Sequence, residues 1–297
     1  MIHKTVLLHE AIDGLNIKNG DIFVDGTLGN GGHTEEVCRL FGDKVTFVGI
    51  DLDNEALERS KERLSKHGFN IKYVQGSFQN IDILLKSIDL EHADKILLDI
   101  GLSSNQFEES NRGFSFQKDE PLIMSFKNDL TEEDLTAQEI LNKWDEENIL
   151  AILQGYGEEQ FAARIARAIV RSRELKPIET TFELVDIIFS ATPKFYHHRK
   201  IHPATKTFQA LRITVNNEIG SLKDGITKSF EILNPKGRLA IISFHSLEDR
   251  VVKQFFKEYE DKGQGIRVNK KIIIPTDEEL TQNPRARSAK LRIIEKL

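Results

Sequence analysis

Residues 21–34 read DIFVDGTLGNGGHT. The first five form a short run of β-branched and aromatic residues that ends in an acid, the pattern of a buried strand. Four glycines then fall within residues 26–32, where they permit positive φ and let a ligand come close to the backbone. A helical pattern follows over His33–Phe41. Strand, glycine loop and helix in that order place a ligand at the carboxyl end of a strand in an open α/β sheet.

Outward from this motif the rhythm repeats. Strand patterns lie at Asp21–Asp25, Val45–Asp51, Asn70–Gln75 and Lys95–Asp99, and helical patterns at His33–Phe41, Asn54–His67 and Ile81–Ile88. The alternation predicts parallel strands with helices on both faces. The next strong strand pattern is Arg238–Phe244. A gap this long after Asp99 needs elements of its own. Phe161, Ile165 and Ile169 recur every four residues, so the insertion reads as helical, with Arg164, Arg167 and Arg171 on a neighbouring stripe. A helix over Thr205–Leu233 is expected to stop at Asn234-Pro235-Lys236-Gly237. A helix through Leu247–Tyr259 and strands at Lys271–Ile274 and Lys290–Ile294 complete the pattern. The expected architecture is α/β: a Rossmann-like sheet from residues 1–110 and 205–297, with an inserted helical domain at 111–204.

Composition narrows the class. Hydrophobic residues make up 39% and charged residues 30%, as in ordinary globular proteins. No stretch reaches the length of a membrane span, and the N-terminal residues lack a signal-peptide apolar core. The single cysteine, Cys38, excludes an intrachain disulfide and a cysteine-metal cluster. These features predict a cytoplasmic protein without a membrane partner or a metal. The net charge of −6 argues against a general nucleic-acid coat. It also hides an asymmetry: residues 119–160 hold 12 Asp/Glu and 2 Lys/Arg, whereas residues 161–212 hold 4 Asp/Glu and 10 Lys/Arg. The second block is a candidate surface for an anion, or simply a solvated face.

The carboxylates bear on the ligand. Asp51 ends the second strand 22 residues after Gly29, where an acid takes ribose hydroxyls. The glycine loop and Asp51 alone fit NAD and S-adenosyl-L-methionine about equally. Asp25 and Asp99 end two further strands and are expected to line the same crevice. Three carboxylates with no lysine or arginine in the loop would repel a pyrophosphate and suit a sulfonium and an ammonium, which favours S-adenosyl-L-methionine. Cys38, inside the helix after the loop, reads as a core residue rather than a nucleophile for pyrimidine carbon. Asp99-Ile100-Gly101-Leu102 is not the Pro-Pro-Tyr pattern of DNA amino methylases.

Longer motifs carry a resemblance. They include HKTVLLHEAIDGL at 3–15, DGTLGNGGHT at 25–34, IDLDNEAL at 50–57, LLDIGLSSNQ at 97–106 and RGFSF at 112–116. YGEEQFAARIARAIV at 156–170, HPATKTFQALRITVNNE at 202–218, GRLAIISFHSLEDRVVK at 237–253 and NPRARSAKLRI at 283–293 continue them. Through these motifs the chain closely resembles the RsmH (MraW) family of ribosomal RNA cytosine-N4 methyltransferases. The resemblance implies a class I methyltransferase sheet and S-adenosyl-L-methionine as cofactor. It implies N4-methylation of a cytosine in the decoding region of 16S ribosomal RNA, within the small ribosomal subunit. A second copy of the chain is carried as a candidate partner.

The resemblance also implies residue roles. Gly31, Gly32 and His33 would hold the methionine end, Asp51 the ribose, and Phe78 the adenine. Asp99 and Gln106 would complete the pocket. Asp99 is the candidate catalytic residue, accepting hydrogen bonds from the cytosine amino group. Arg164, Arg167, Arg171, Lys194, Arg199 and Lys200 can contact backbone phosphates. Lys206 replaces an arginine of the family pattern, and one segment, residues 120–126, departs from it further: Ile123 replaces an acid and Ser125 an arginine. That departure supports the rival reading, a catalytically impaired ribosome-binding relative that keeps the cofactor fold. A nicotinamide oxidoreductase is the other rival, and the acid cluster opposes it.

Overall fold

The computed structural model describes residues 4–101, 111–127, 129–131 and 133–297. Its sheet, among these residues, comprises β1 (Ile22–Asp25), β2 (Thr46–Asp51), β3 (Ile71–Gln75), β4 (Ala93–Asp99), β5 (Leu233–Ser243), β6 (Gly265–Arg267) and β7 (Lys290–Lys296). Their order is β3-β2-β1-β4-β5-β7-β6. β1 to β5 are parallel, and β7 runs antiparallel between β5 and β6. This is the class I methyltransferase sheet that the sequence predicts. β1 and β4 are apolar on both faces, and Phe23, Val24, Ile96, Leu97 and Leu98 are fully buried, as parallel strands covered by helices require.

Helices before the insertion are α1 (Leu8–Leu15), α2 (Gly32–Phe41), α3 (Asn54–Ser65) and α4 (Ile81–Lys86). Within it run α5 (Ala137–Lys143), α6 (Glu146–Gly155), α7 (Ala162–Arg173), α8 (Thr181–Ala191), α9 (Lys194–His197) and α10 (Thr205–Val215). After it come α11 (Glu218–Glu231), α12 (Ser246–Asp261) and α13 (Asp277–Gln282). Side-chain oxygens start several of them: Asp53, Thr136 and Asp145 each accept a first-turn N–H, and Thr180 with Glu183 forms a capping box. Among the described residues no helix is long and apolar enough to cross a membrane.

The chain divides into two compact units, Met1–Gly101 with Ile219–Leu297, and Leu102–Glu218. The sequence boundary at 204/205 falls inside the helical unit. The expected helix over Thr205–Leu233 is in fact two helices, α10 and α11. Asn217 between them adopts φ 46°, a conformation asparagine tolerates. The Asn216 side chain donates to Met124 O and accepts from Phe126 N, both at 2.7 Å. α10 therefore belongs to the helical core, where Phe208 and Leu211 join Ile149, Leu153, Ile165 and Ile169.

The segment that departs from the family pattern is framework of this unit. Leu122 and Met124 are fully buried, and Ser125 is buried with its hydroxyl accepting Lys127 N–H at 3.2 Å. Ile123 O accepts the N–H of Ala137, the first residue of α5, at 3.1 Å. Buried Glu120 accepts Gly113 N–H at 2.9 Å.

Two end-of-chain expectations change. Asn234–Gly237 does not stop a helix. It forms a bulge within β5, where the pairing with β4 shifts between Ala93 and Lys95 and Lys236 takes φ 66°. The Lys271–Ile274 strand reduces to a single bridge, Ile273 to Leu291. The sheet edge is instead β6, three residues whose turn-rich surroundings gave no strand pattern.

Gly157 tests the placement of α10. A Cβ there would lie 2.7 Å from Leu153 O and 2.8 Å from Lys206 O, backbone atoms of α6 and α10, whereas a Cβ at Gly155 meets nothing. Gly157→Ala is expected to cost about 1–3 kcal/mol of stability, and Gly155→Ala to be near neutral. Equal denaturation midpoints for the two variants would contradict this packing.

Candidate active site

The site begins with an offset in strand length. Asp25 at the end of β1 is level with Gly49 and Leu97, while β2 and β4 run two residues further, to Asp51 and Asp99. At ~3.3 Å per residue this leaves a notch about 7 Å deep at the end of β1. The glycine loop fills it and is bonded to both walls. Gly26 N–H donates to Leu97 O at 2.9 Å and Leu28 N–H to Ile50 O at 2.8 Å. Gly29 and Gly31 take φ 52° and 73°, so the chain can reverse into α2 within a few residues.

Side chains lock the loop. Gly29 N–H donates to Asp51 Oδ2 at 2.7 Å, and Asp53 N–H to Asp51 Oδ1 at 2.9 Å. Asp99 N–H donates to Thr27 Oγ1 at 2.6 Å. Ser60 Oγ donates to Gly29 O at 2.5 Å. Thr27 and Ser60 were not singled out from the sequence, because each acts through one bond that no spacing rule reveals. Asp25 departs from expectation. It is buried, accepting Thr34 Oγ1 at 2.8 Å and Thr27 N–H at 3.3 Å. Its carboxylate braces the loop against α2 and does not open on the crevice. Asp51 and Asp99, both partly exposed, are the acids that do.

The other expected residues fall as follows. Gly31 and Gly32 sit at the start of α2, whose first N–H groups have no acceptor within the helix. A Cβ at Gly32 would lie 1.9 Å from Thr5 Oγ1, so the N-terminal segment packs closely here. The buried His33 ring lies with Nε2 3.1 Å from Val6 O. The Phe78 ring rests on α11: a Cβ at Gly225 would lie 2.4 Å from its Cδ2. The ring is only partly buried. Gln106 lies outside the described residues.

Electrostatics favour a cationic guest. Burial pushes the Asp99 carboxyl up to about 7, with the Asp25 carboxylate adding to the rise and Glu248 following. Burial pushes Asp25 up to about 6, and the hydrogen bonds from Thr34 and Thr27 pull the other way. Asp51 is also raised by burial. The glycine loop has no lysine or arginine. The Arg63 guanidinium, bonded to Asn30 O at 3.0 Å, is paired with Glu35. An adenosine ligand bearing a sulfonium and an ammonium fits this donor set, and a pyrophosphate does not. Burial also pushes the Cys38 thiol up to about 12, so it supplies no thiolate near neutral pH.

Comparison with known proteins gives one consistent picture. A family model described as the MraW methylase family matches residues 1–297. A ribosomal RNA small subunit methyltransferase H from Clostridium botulinum (strain Kyoto / Type A2) is 46% identical, with 99% of each chain covered. Proteins of the same description from Clostridioides difficile (strain 630) and Brevibacillus brevis (strain 47) are 43% and 41% identical. They cover 99% of this chain, and 99% and 98% of those proteins are matched.

Asp51→Ala is expected to weaken S-adenosylmethionine binding by roughly 1.5–3 kcal/mol, through loss of hydrogen bonds to a charged acceptor. Calorimetry reads it. Unchanged affinity in a folded variant would remove Asp51 from the site.

Proposed function

The chain belongs to the MraW methylase family, and we propose that it methylates the N4 amino group of a cytosine in the decoding region of 16S ribosomal RNA, using S-adenosylmethionine. The observation that carries this reading is the acidic crevice of Asp51 and Asp99 around the glycine loop, in a chain that matches small-subunit RNA methyltransferases over nearly its full length.

The chemistry sets the demands. The cytosine amino lone pair is delocalised into the ring, so the nitrogen is a weak nucleophile. The base must leave its stack to enter the crevice. S-adenosylmethionine supplies an electrophilic methyl group. This chain's residues then do the remaining work. Asp51 would hold ribose hydroxyls, the first turn of α2 would receive the carboxylate of the methionine end, and the partly buried Phe78 would hold the adenine.

Asp99 is the proton acceptor. Among the described residues its Oδ1 is approached by Gly101 N–H at 3.5 Å, and Oδ2 would accept a hydrogen bond from the amino group. That bond favours the geometry in which nitrogen is nucleophilic. Oδ2 then takes the proton that nitrogen loses. A carboxyl pushed up to about 7 is matched to this transfer at neutral pH. A cysteine adduct to the pyrimidine ring is not required, in keeping with the raised Cys38 thiol. The rival reading of a relative without activity rests on Ile123 and Ser125. Both brace the helical unit through local bonds, Ile123 O to Ala137 N–H and Ser125 Oγ to Lys127 N–H, and turnover is expected to survive their presence.

Nucleoside mass spectrometry of small-subunit RNA tests the assignment. Cells with the gene should contain N4-methylcytosine in the decoding region, and cells without it should lose that signal. Asp99→Asn, which cannot take the proton, should lower turnover at saturating S-adenosylmethionine about a hundredfold or more, and should also weaken binding of that cation. An unchanged nucleoside profile on deletion would sink the reading.

A further inference from the structure

The helical unit contains a basic depression that the transfer reaction itself does not use. α7 buries Ala162, Ile165, Ala166 and Ile169 and turns Arg164, Arg167 and Arg171 outward, spaced so that they share one face. Together with Ser172 and the end of α8 at Ser190, they line a shallow depression of about 410 Å³. The three arginines span seven residues of helix, about 10 Å along its axis, a length that admits more than one backbone phosphate.

These guanidiniums are held near the surface without being consumed. Arg164 lies 5.8 Å from the centre of the Phe161 ring, which orients it while leaving its donors open. Arg167 faces Glu146 at 3.6 Å, and both are exposed, so the pair contributes little. Arg171 has no ion pair or hydrogen-bond partner among the described residues. Arg173 on the same helix shows the contrast. It donates to Leu141 O at 2.9 Å and Trp144 O at 2.6 Å and is a structural brace.

The neighbouring helix end is closed by its own hydroxyls. A helix C-terminus presents carbonyls that repel negative charge. At the end of α8, Ser190 Oγ caps Ile187 O and Thr192 Oγ1 caps Ile188 O, each at 2.7 Å. Arg199, in contrast, is turned to Tyr196 and Gln160 and does not line the depression.

We propose that the face of Arg164, Arg167 and Arg171 is a docking site for the phosphate backbone of an RNA strand, resting on the RNA substrate read above. Planar, permanently charged guanidiniums in a row recognise phosphodiesters irrespective of sequence. The site fixes where the RNA lies on the helical unit, and the carboxylate crevice selects the base.

The test measures binding of the full chain to protein-free small-subunit RNA across a salt series. Three forms are compared: wild type, the triple variant Arg164→Gln/Arg167→Gln/Arg171→Gln, and a control that removes the same charge elsewhere, Lys61→Gln/Lys66→Gln/Lys270→Gln. S-adenosylmethionine affinity, unchanged in all three, verifies folding. The triple variant should bind roughly tenfold or more weakly, with the magnitude of its log–log salt slope reduced by about 2–3, while the control stays near wild type. Equal affinity and slope for wild type and triple variant would overturn the proposal, as would an equal loss in the control. A wild type that binds RNA in this pattern but forms no N4-methylcytosine would defeat the proposed reaction and not this docking site, so the two failures are distinct.

Discussion

β1 stops two residues short of the strands on either side of it, and the site depends on that offset. The notch can be filled only by a chain that turns back tightly, which Gly29 and Gly31 permit through positive φ. The loop is then held by Gly29 N–H on Asp51 and by Asp99 N–H on Thr27. One set of bonds therefore fixes the loop backbone and aims the acids of β2 and β4. Lengthening β1 would remove the notch, and replacing Asp51 would free both the loop and the ribose position.

Charge follows from the same construction. Asp25 is walled in by the loop it braces, and its carboxylate helps raise Asp99. The crevice is thus acidic yet reluctant to ionise when empty. A cation entering it relieves that reluctance. The buried carboxylate behind the loop and the two in front of it make one electrostatic unit, suited to a sulfonium ligand and to a proton leaving an amino group.

The parts legible in the sequence were those written in local patterns. DIFVD, VTFVGID and KILLD mark strands because both faces are buried, and the glycine loop marks the turn because few other residues adopt its φ values. Arg164, Arg167 and Arg171 were visible as a stripe through helical periodicity. The illegible parts depend on partners far along the chain. The break at Asn216–Asn217 is tied to Met124 and Phe126, some 90 residues earlier. The bulge at Asn234–Gly237 lies against Asp94, and β6 is a strand only because β7 pairs with it. Asp25 looked like its two companions from strand position alone. Thr34, a turn into the next helix, decides that it faces inward.

The central claim, that this crevice is built for a cation through raised carboxyls, is tested most directly by calorimetric titration with S-adenosylmethionine between pH 5.5 and 8, in two buffers of different ionisation enthalpy. Asp25 and Asp99 hold their protons up to about pH 6 and 7 instead of the ordinary 3.8. Their stabilising contribution to the empty protein is therefore full below about pH 4 and is lost as pH rises through 6 and 7. A cationic ligand favours the ionised forms, so binding should release protons, and affinity should rise roughly tenfold or more across the range. Proton uptake on binding, affinity that falls as pH rises, or tighter binding of NAD under the same conditions would contradict it.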